Sequence, residues 1–166
     1  MQWRLLIGGD TMAEFTKNEY QIVLADQPVT LNTSIGCNKG YVYHRNGSGI
    51  VTLRGITPNC FARYQVTFNG NIAIPSTGTA GPISIALALD GEPILTSRAI
   101  VTPAAVADEP PTQDNFFNVT STAIISVPKG CCFNVSVENT SEGLTPEDVP
   151  PAILVQNANL TVTRIA

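Results

Sequence analysis

An all-β sandwich or barrel is what this sequence predicts, on three observations. Helical periodicity is nearly absent. In its place, apolar and polar residues alternate in stretches rich in Val, Ile, Thr, Phe and Tyr, broken every 8–15 residues by Gly, Pro or Asn. The chain also closes on three β-type segments that begin at Phe117, Cys132 and Ile153, the last of them apolar up to Ala166. A closing apolar strand is expected in the core.

The expected strands run in order. Gln21–Ala25, Val29–Thr33, Gly40–Arg45 and Ile50–Arg54 are short. Ala62–Ala73 is longer, and Ile83–Leu89 alternates Ile and Leu with Ser84, Ala86 and Ala88. A face of Ser and Ala suits close approach of another sheet or subunit. Glu92–Val101, Asn115–Val127, Cys132–Glu138, Ala152–Gln156 and Asn159–Ile165 complete the set. Asn46-Gly-Ser-Gly49 and Asp90-Gly91 supply the positive φ angles that tight hairpins demand, and Pro128-Lys-Gly130 is a further reversal.

A length of 166 residues suits one domain with a sizeable core. Only 13% of residues are charged, about half the usual share, against 43% hydrophobic. Disorder is therefore not expected. So little charge leaves a monomer short of surface cover, and an oligomer is the expected state. A net charge of −4 without a Lys/Arg cluster argues against nucleic acid and against an anionic membrane surface. No apolar run approaches the ~18 residues of a membrane span. The apolar part of the first ten residues is too short for a signal-peptide core, so secretion by the general route is not expected.

Cys37, Cys60, Cys131 and Cys132 include no Cys-x-x-Cys, and the single histidine, His44, is distant from all of them in sequence. Reduced, small, partly buried thiols are expected. A disulfide would most plausibly join Cys37 to Cys60.

Two loops are long and irregular, Pro103–Asp114 and Ser141–Pro151, and both gather acidic and proline residues. Loops of this kind are where a partner is expected to be met. Residues 1–20 read as an N-terminal arm and 21–166 as the domain. The arm's first eleven residues are either genuine or untranslated leader ahead of Met12, because Gly8-Gly-Asp-Thr11 is compatible with a purine-rich ribosome-binding site. An intact mass separates the two.

A resemblance narrows the fold. The closing Asn157-Ala-Asn-Leu-Thr-Val162 resembles the "Asn-Ala-x-Leu-x-Val" strand of the tumour-necrosis-factor/C1q-like jelly rolls. Gly40-Tyr-Val-Tyr-His-Arg-Asn-Gly-Ser-Gly-Ile-Val-Thr-Leu-Arg-Gly55 and Tyr64-Gln-Val-Thr-Phe68 resemble two further stretches of the same proteins, and Phe116-Phe-Asn-Val119 a third. The match runs from about residue 21 to 166. It is similar to small structural proteins of phages and prophages of Gram-positive, often gut-dwelling, bacteria, and to heads of collagen-like spore-surface glycoproteins. The resemblance implies a TNF/C1q-like jelly-roll sandwich with a short N-terminal arm. It also implies a homotrimer whose terminal strand lines a three-fold axis through Leu160, Val162 and Ile165. A phage role implies attachment to the capsid protein by the arm, through Phe15 and Tyr20, and a place on the capsid surface of the virion.

Chemistry is hard to find. His44, Arg45 and Ser48 hint at hydrolysis, but Gly-x-Ser-x-Gly is absent and Asn46-Gly-Ser-Gly49 reads as a turn. No catalytic residue, cofactor or metal is expected. Asp90, Asp108, Glu109 and Asp114 match no Ca²⁺ motif and read as solvated loop. Six Asn-x-Ser/Thr triplets follow from the strand alternation itself. The aromatics lie mostly in strand patterns and are expected in the core. The leading expectation is a non-enzymatic virion knob that decorates a capsid. Recognition of a host-surface glycan by the two loops, and a spore or cell-surface role, are the alternatives.

Overall fold

The computed structural model describes residues 12–36, 40–106 and 115–166. Twelve strands pack as two antiparallel sheets. They are β1 (Met12–Lys17), β2 (Gln21–Val23), β3 (Thr33–Ile35), β4 (Val42–His44), β5 (Val51–Arg54) and β6 (Phe61–Ala73). β7 (Ile83–Leu89), β8 (Glu92–Pro93), β9 (Ala99–Val101), β10 (Phe117–Pro128), β11 (Cys132–Asn139) and β12 (Ile153–Arg164) follow. The first sheet has the order β10-β6-β12-β1-β3, with β2 on the other half of β12. The second has the order β4-β5-β11-β7-β8, with β9 also on β7.

Alternation decides what lies between the sheets. Tyr64, Val66 and Phe68 of β6, Leu160 and Val162 of β12, Ile83, Ile85 and Leu87 of β7, and Val135 and Val137 of β11 form one apolar core. Tyr64 is wholly buried, and its hydroxyl donates to the carbonyl of Arg54 at 2.6 Å, so the ring enters the core without leaving a polar orphan. Asp90 and Gly91 both have positive φ and form the two-residue hairpin expected between β7 and β8.

Four expectations about elements need correction. Val29–Thr33 is irregular up to Asn32, and the strand there is Thr33–Ile35, although Val29 and Leu31 are buried. Residues 12–17 are a strand and no free arm. β1 lies between β12 and β3, pairing six residues with β12, and Phe15 is only 2% exposed, with its ring 4.8 Å from that of His44. The two expected C-terminal strands are one, because Asn157 takes a left-handed conformation and the register slips there. This bulge lets the strand continue along β6 while its first half takes β2 and its second half β1. Glu92–Val101 is instead divided by a short 3₁₀ turn, Leu95–Ser97. Residues 1–11 lie outside the described residues, as does the question of a leader.

Candidate functional site

The outward face of the first sheet is the candidate site. In β6, Ala62, Tyr64, Val66 and Phe68 are buried, so Arg63, Gln65, Thr67, Asn69 and Asn71 point away from the core. By the same parity Met12, Glu14 and Thr16 of β1 point outward. So do Asn159, Thr161 and Thr163 of β12, and Asn118, Thr120, Thr122, Ile124 and Ser126 of β10. Pairing lines these residues up in rungs across four strands. One rung is Thr122–Thr67–Thr161–Glu14, its neighbour Thr120–Asn69–Asn159–Thr16, and on the other side Ile124–Gln65–Thr163–Met12.

The polar groups of this face bond to each other. Thr67 and Thr122 hydroxyls are 3.0 Å apart, and Thr122 Oγ1 donates to the carbonyl of Val66 at 3.1 Å. Asn118 donates to Asn69 at 2.9 Å and Asn71 to Asn157 at 3.0 Å. Asn157 in turn donates to Asn18 at 2.7 Å. Asn159 donates to the carboxylate of Glu14, and Thr161 to Asn159 at 3.1 Å. A polar group taken out of water costs least when its hydrogen bonds are already made. This face can therefore be covered without needing matched partners across the contact.

The residues expected on a trimer axis are placed differently. Leu160 and Val162 are wholly buried within the single chain, because the parity of β12 turns them to the second sheet. Ile165, just past the strand, is 47% exposed. Phe15, expected to touch a capsid, is core, which removes it from any surface contact. Tyr20 is 39% exposed and stands in a short exposed series with Ile22 and Leu24. Ser84, Ala86 and Ala88, expected to meet another sheet or subunit, are already buried. Ser84 bonds Thr140 at 2.9 Å and Arg98 at 3.0 Å.

One end of the sandwich holds a groove of about 580 Å³ between the β6–β7 and β11–β12 connections. Pro75, Thr79 and Pro82 face Leu144, Asp148 and Val149 across it, and no aromatic side chain lines it. Leu144 is 70% and Val149 90% exposed. Ser141–Pro151 thus borders a concave surface. Of Pro103–Asp114 only the first residues are described. There Val106 packs with Ala73, Leu154 and Phe116.

His44 is structural. Its Nε2 lies 2.9 Å from the carbonyl of Ser48 and its Nδ1 3.1 Å from the Ser34 hydroxyl. Among the described residues no acid bonds to either ring nitrogen. Asp90 accepts from the backbone N–H of Asn134 at 2.9 Å, a turn-stabilising role. Asp108, Glu109, Asp114 and Cys37 lie outside the described residues. Cys60, Cys131 and Cys132 are exposed free thiols, where partial burial was expected: they sit on the turns that open β6 and β11. Among the described residues no three His, Cys, Asp or Glu side chains are grouped to hold a metal. None of their helices is long and apolar enough to cross a membrane.

One carboxyl is perturbed. Burial on the second sheet pushes Glu138 above the usual carboxylate range, against a bond from the Ser136 hydroxyl, and the charges of Asp26 and Glu92 add to the rise. Burial likewise raises the Tyr64 phenol, opposed by the Arg164 guanidinium beside it.

No protein-family model matches the chain, and no curated protein matches it in sequence. Solved structures do. The globular domain of zebrafish complement 1qA protein aligns over 94% of this chain and 98% of its own, at TM-score 0.53 and 15% identity. Eiger TNF of S. frugiperda aligns over 93% and 92%, at 0.54 and 13%. Murine APRIL aligns over 93% and 98%, at 0.52 and 9%. The fold is the TNF/C1q-like jelly roll. In this jelly roll β12 is a central strand of the first sheet, flanked by β6 and β1, so the candidate face is built around it.

Proposed function

We propose that the protein is a non-enzymatic structural module that self-associates as a homotrimer through the outward face of its first sheet. The observation that carries this is the breadth of that face. It spans four strands of threonine, asparagine and other small polar or apolar residues with almost no charge, its hydrogen bonds met within the sheet. A solvated monomer surface is normally rich in Lys and Glu, and the core of a subunit contact is depleted in them. The three-fold arrangement comes from the resemblance to the TNF/C1q-like proteins, with Asn159, Thr161 and Thr163 now in the place first given to Leu160 and Val162. Ile165 stays at the rim.

The finer reading is a virion knob that decorates a phage capsid. It is supported by the block from Tyr43 to Gly49 that resembles phage structural proteins and by the low charge. Tyr20, with Ile22 and Leu24, is the surface proposed to meet the capsid protein. The groove favours a second reading, in which Ser141–Pro151 binds a host-surface glycan, although no aromatic platform lines it. Co-sedimentation with purified particles that lack the protein separates the two. Decoration predicts saturable binding that is weakened by Tyr20→Ala with Ile22→Ala. Binding to host cells and not to capsids would overturn decoration in favour of recognition.

A further inference from the structure

The outward positions of β1, β6, β10 and β12 hold two charged side chains, Glu14 and Arg63. Glu14 is half-buried at the β1 end of a rung whose β6 member is Thr67. Arg63 is exposed near the start of β6, four residues before Thr67 and opposite Ser126 of β10. Two strand spacings and four residues of rise separate them by about 16 Å. They are too far apart to pair within one chain. The ion pair seen among the described residues is Arg98 with Glu142 at 3.1 Å, well away from this face.

We infer that Glu14 of one copy pairs with Arg63 of the next, and that this contact fixes the register of self-association. The inference rests on the self-association proposed above. On a face that is otherwise neutral, one anion and one cation are complementary between copies. The contacts that close the trimer proposed above are head to tail, so the patch carrying Glu14 on one copy meets the patch carrying Arg63 on the next, whereas a two-fold contact would form the same pair twice. The rest of the face does not set register, because its bonds run within the sheet. No other outward position of these four strands carries a charge that could reward one offset over another. Electrostatic pairs of this kind act chiefly on specificity and register, and like charges brought together are strongly unfavourable.

Charge reversal tests the pairing. Arg63→Glu and Glu14→Lys are each expected to raise the concentration at which the assembly dissociates by about tenfold or more, and the double reversal to restore it to within about threefold of wild type. Glu14→Gln, which keeps size and the bond from Asn159, is expected to weaken assembly less than Glu14→Lys while leaving the circular dichroism spectrum unchanged. Analytical ultracentrifugation over a dilution series reads all four variants. If wild type assembles and the single reversals assemble as tightly, or if the double reversal is weaker than both singles, the ion pair is wrong and self-association stands. If wild type remains one chain throughout, the self-association reading fails and the ion pair with it.

Discussion

The two sheets turn very different surfaces outward. On the second, Ser84, Ala86, Ala88, Ser136 and Glu138 are already buried, and Arg98 reaches across to Ser84 and to the carbonyl of Thr140. The β7 side of that face is closed by the chain itself, at the cost of a buried carboxyl, while Tyr43, Arg54 and Asn134 leave its β4–β5 side exposed. The first sheet's face is open, its bonds running sideways between strands. Small residues on a strand thus have two uses here: on β7 they let the chain cover its own sheet, and on β6, β10 and β12 they leave a surface ready for another chain.

The largest expected effect lies beneath the open face. Phe15→Ala removes a buried ring from the strand that joins β12 to β3, and about 3–5 kcal/mol of stability should be lost in urea unfolding. Deleting residues 1–20 should prevent folding, which circular dichroism would show. A folded, cooperative deletion variant would return Met12–Lys17 to the status of an arm. Leu160→Asp should also unfold the chain, since it buries an unpaired charge.

Next is the buried carboxyl of the second sheet. Glu138 holds its proton more tightly folded than unfolded, because burial penalises its charge. Its ionisation therefore removes stability as pH rises from the ordinary glutamate range through the raised folded value. Glu138→Gln should stabilise the protein at neutral pH and flatten that part of the profile, as followed by melting temperature between pH 4 and 8. An unchanged profile would mean that the closed face carries no such cost.

The smallest effect concerns the thiols. Cys60, Cys131 and Cys132 should react with an aromatic disulfide reagent in the native protein, and replacing all three with Ser should move stability by no more than about 0.5 kcal/mol. A slow reaction that needs denaturant would place them in a contact.

Much of this contrast was legible in the sequence. Ile83–Leu89 alternates so regularly that the strand ends where expected, and Asp90-Gly91 allows little other than a tight hairpin. β1 was not legible. Met-Ala-Glu-Phe-Thr-Lys has two charges and only one large apolar residue of core parity, Phe15, with Met12 exposed, and its burial is supplied by β12, nearly 150 residues away. Period-2 alternation also shows that β12 has two faces without saying which one meets the partner sheet. Leu160 and Val162 could fill either an axis or a core, and the second sheet decided it. The bulge at Asn157 was read as a break because Asn is a turn residue; here its left-handed φ bends a strand that continues. Hydrogen bonds among threonine and asparagine on four strands depend on register, which no single segment reveals.

The claim that the open face is the contact between copies is tested most directly by one substitution at its centre. Thr67→Arg places a cation in the middle rung, where the side chain points away from the core and folding should be unaffected. Sedimentation equilibrium at micromolar concentration should give wild-type protein about three times the 17.6 kDa chain mass. The variant should give a single chain mass, keep the wild-type circular dichroism spectrum, and unfold at a midpoint that no longer depends on protein concentration. Wild type and variant sedimenting with the same mass, whether three chains or one, would contradict the account.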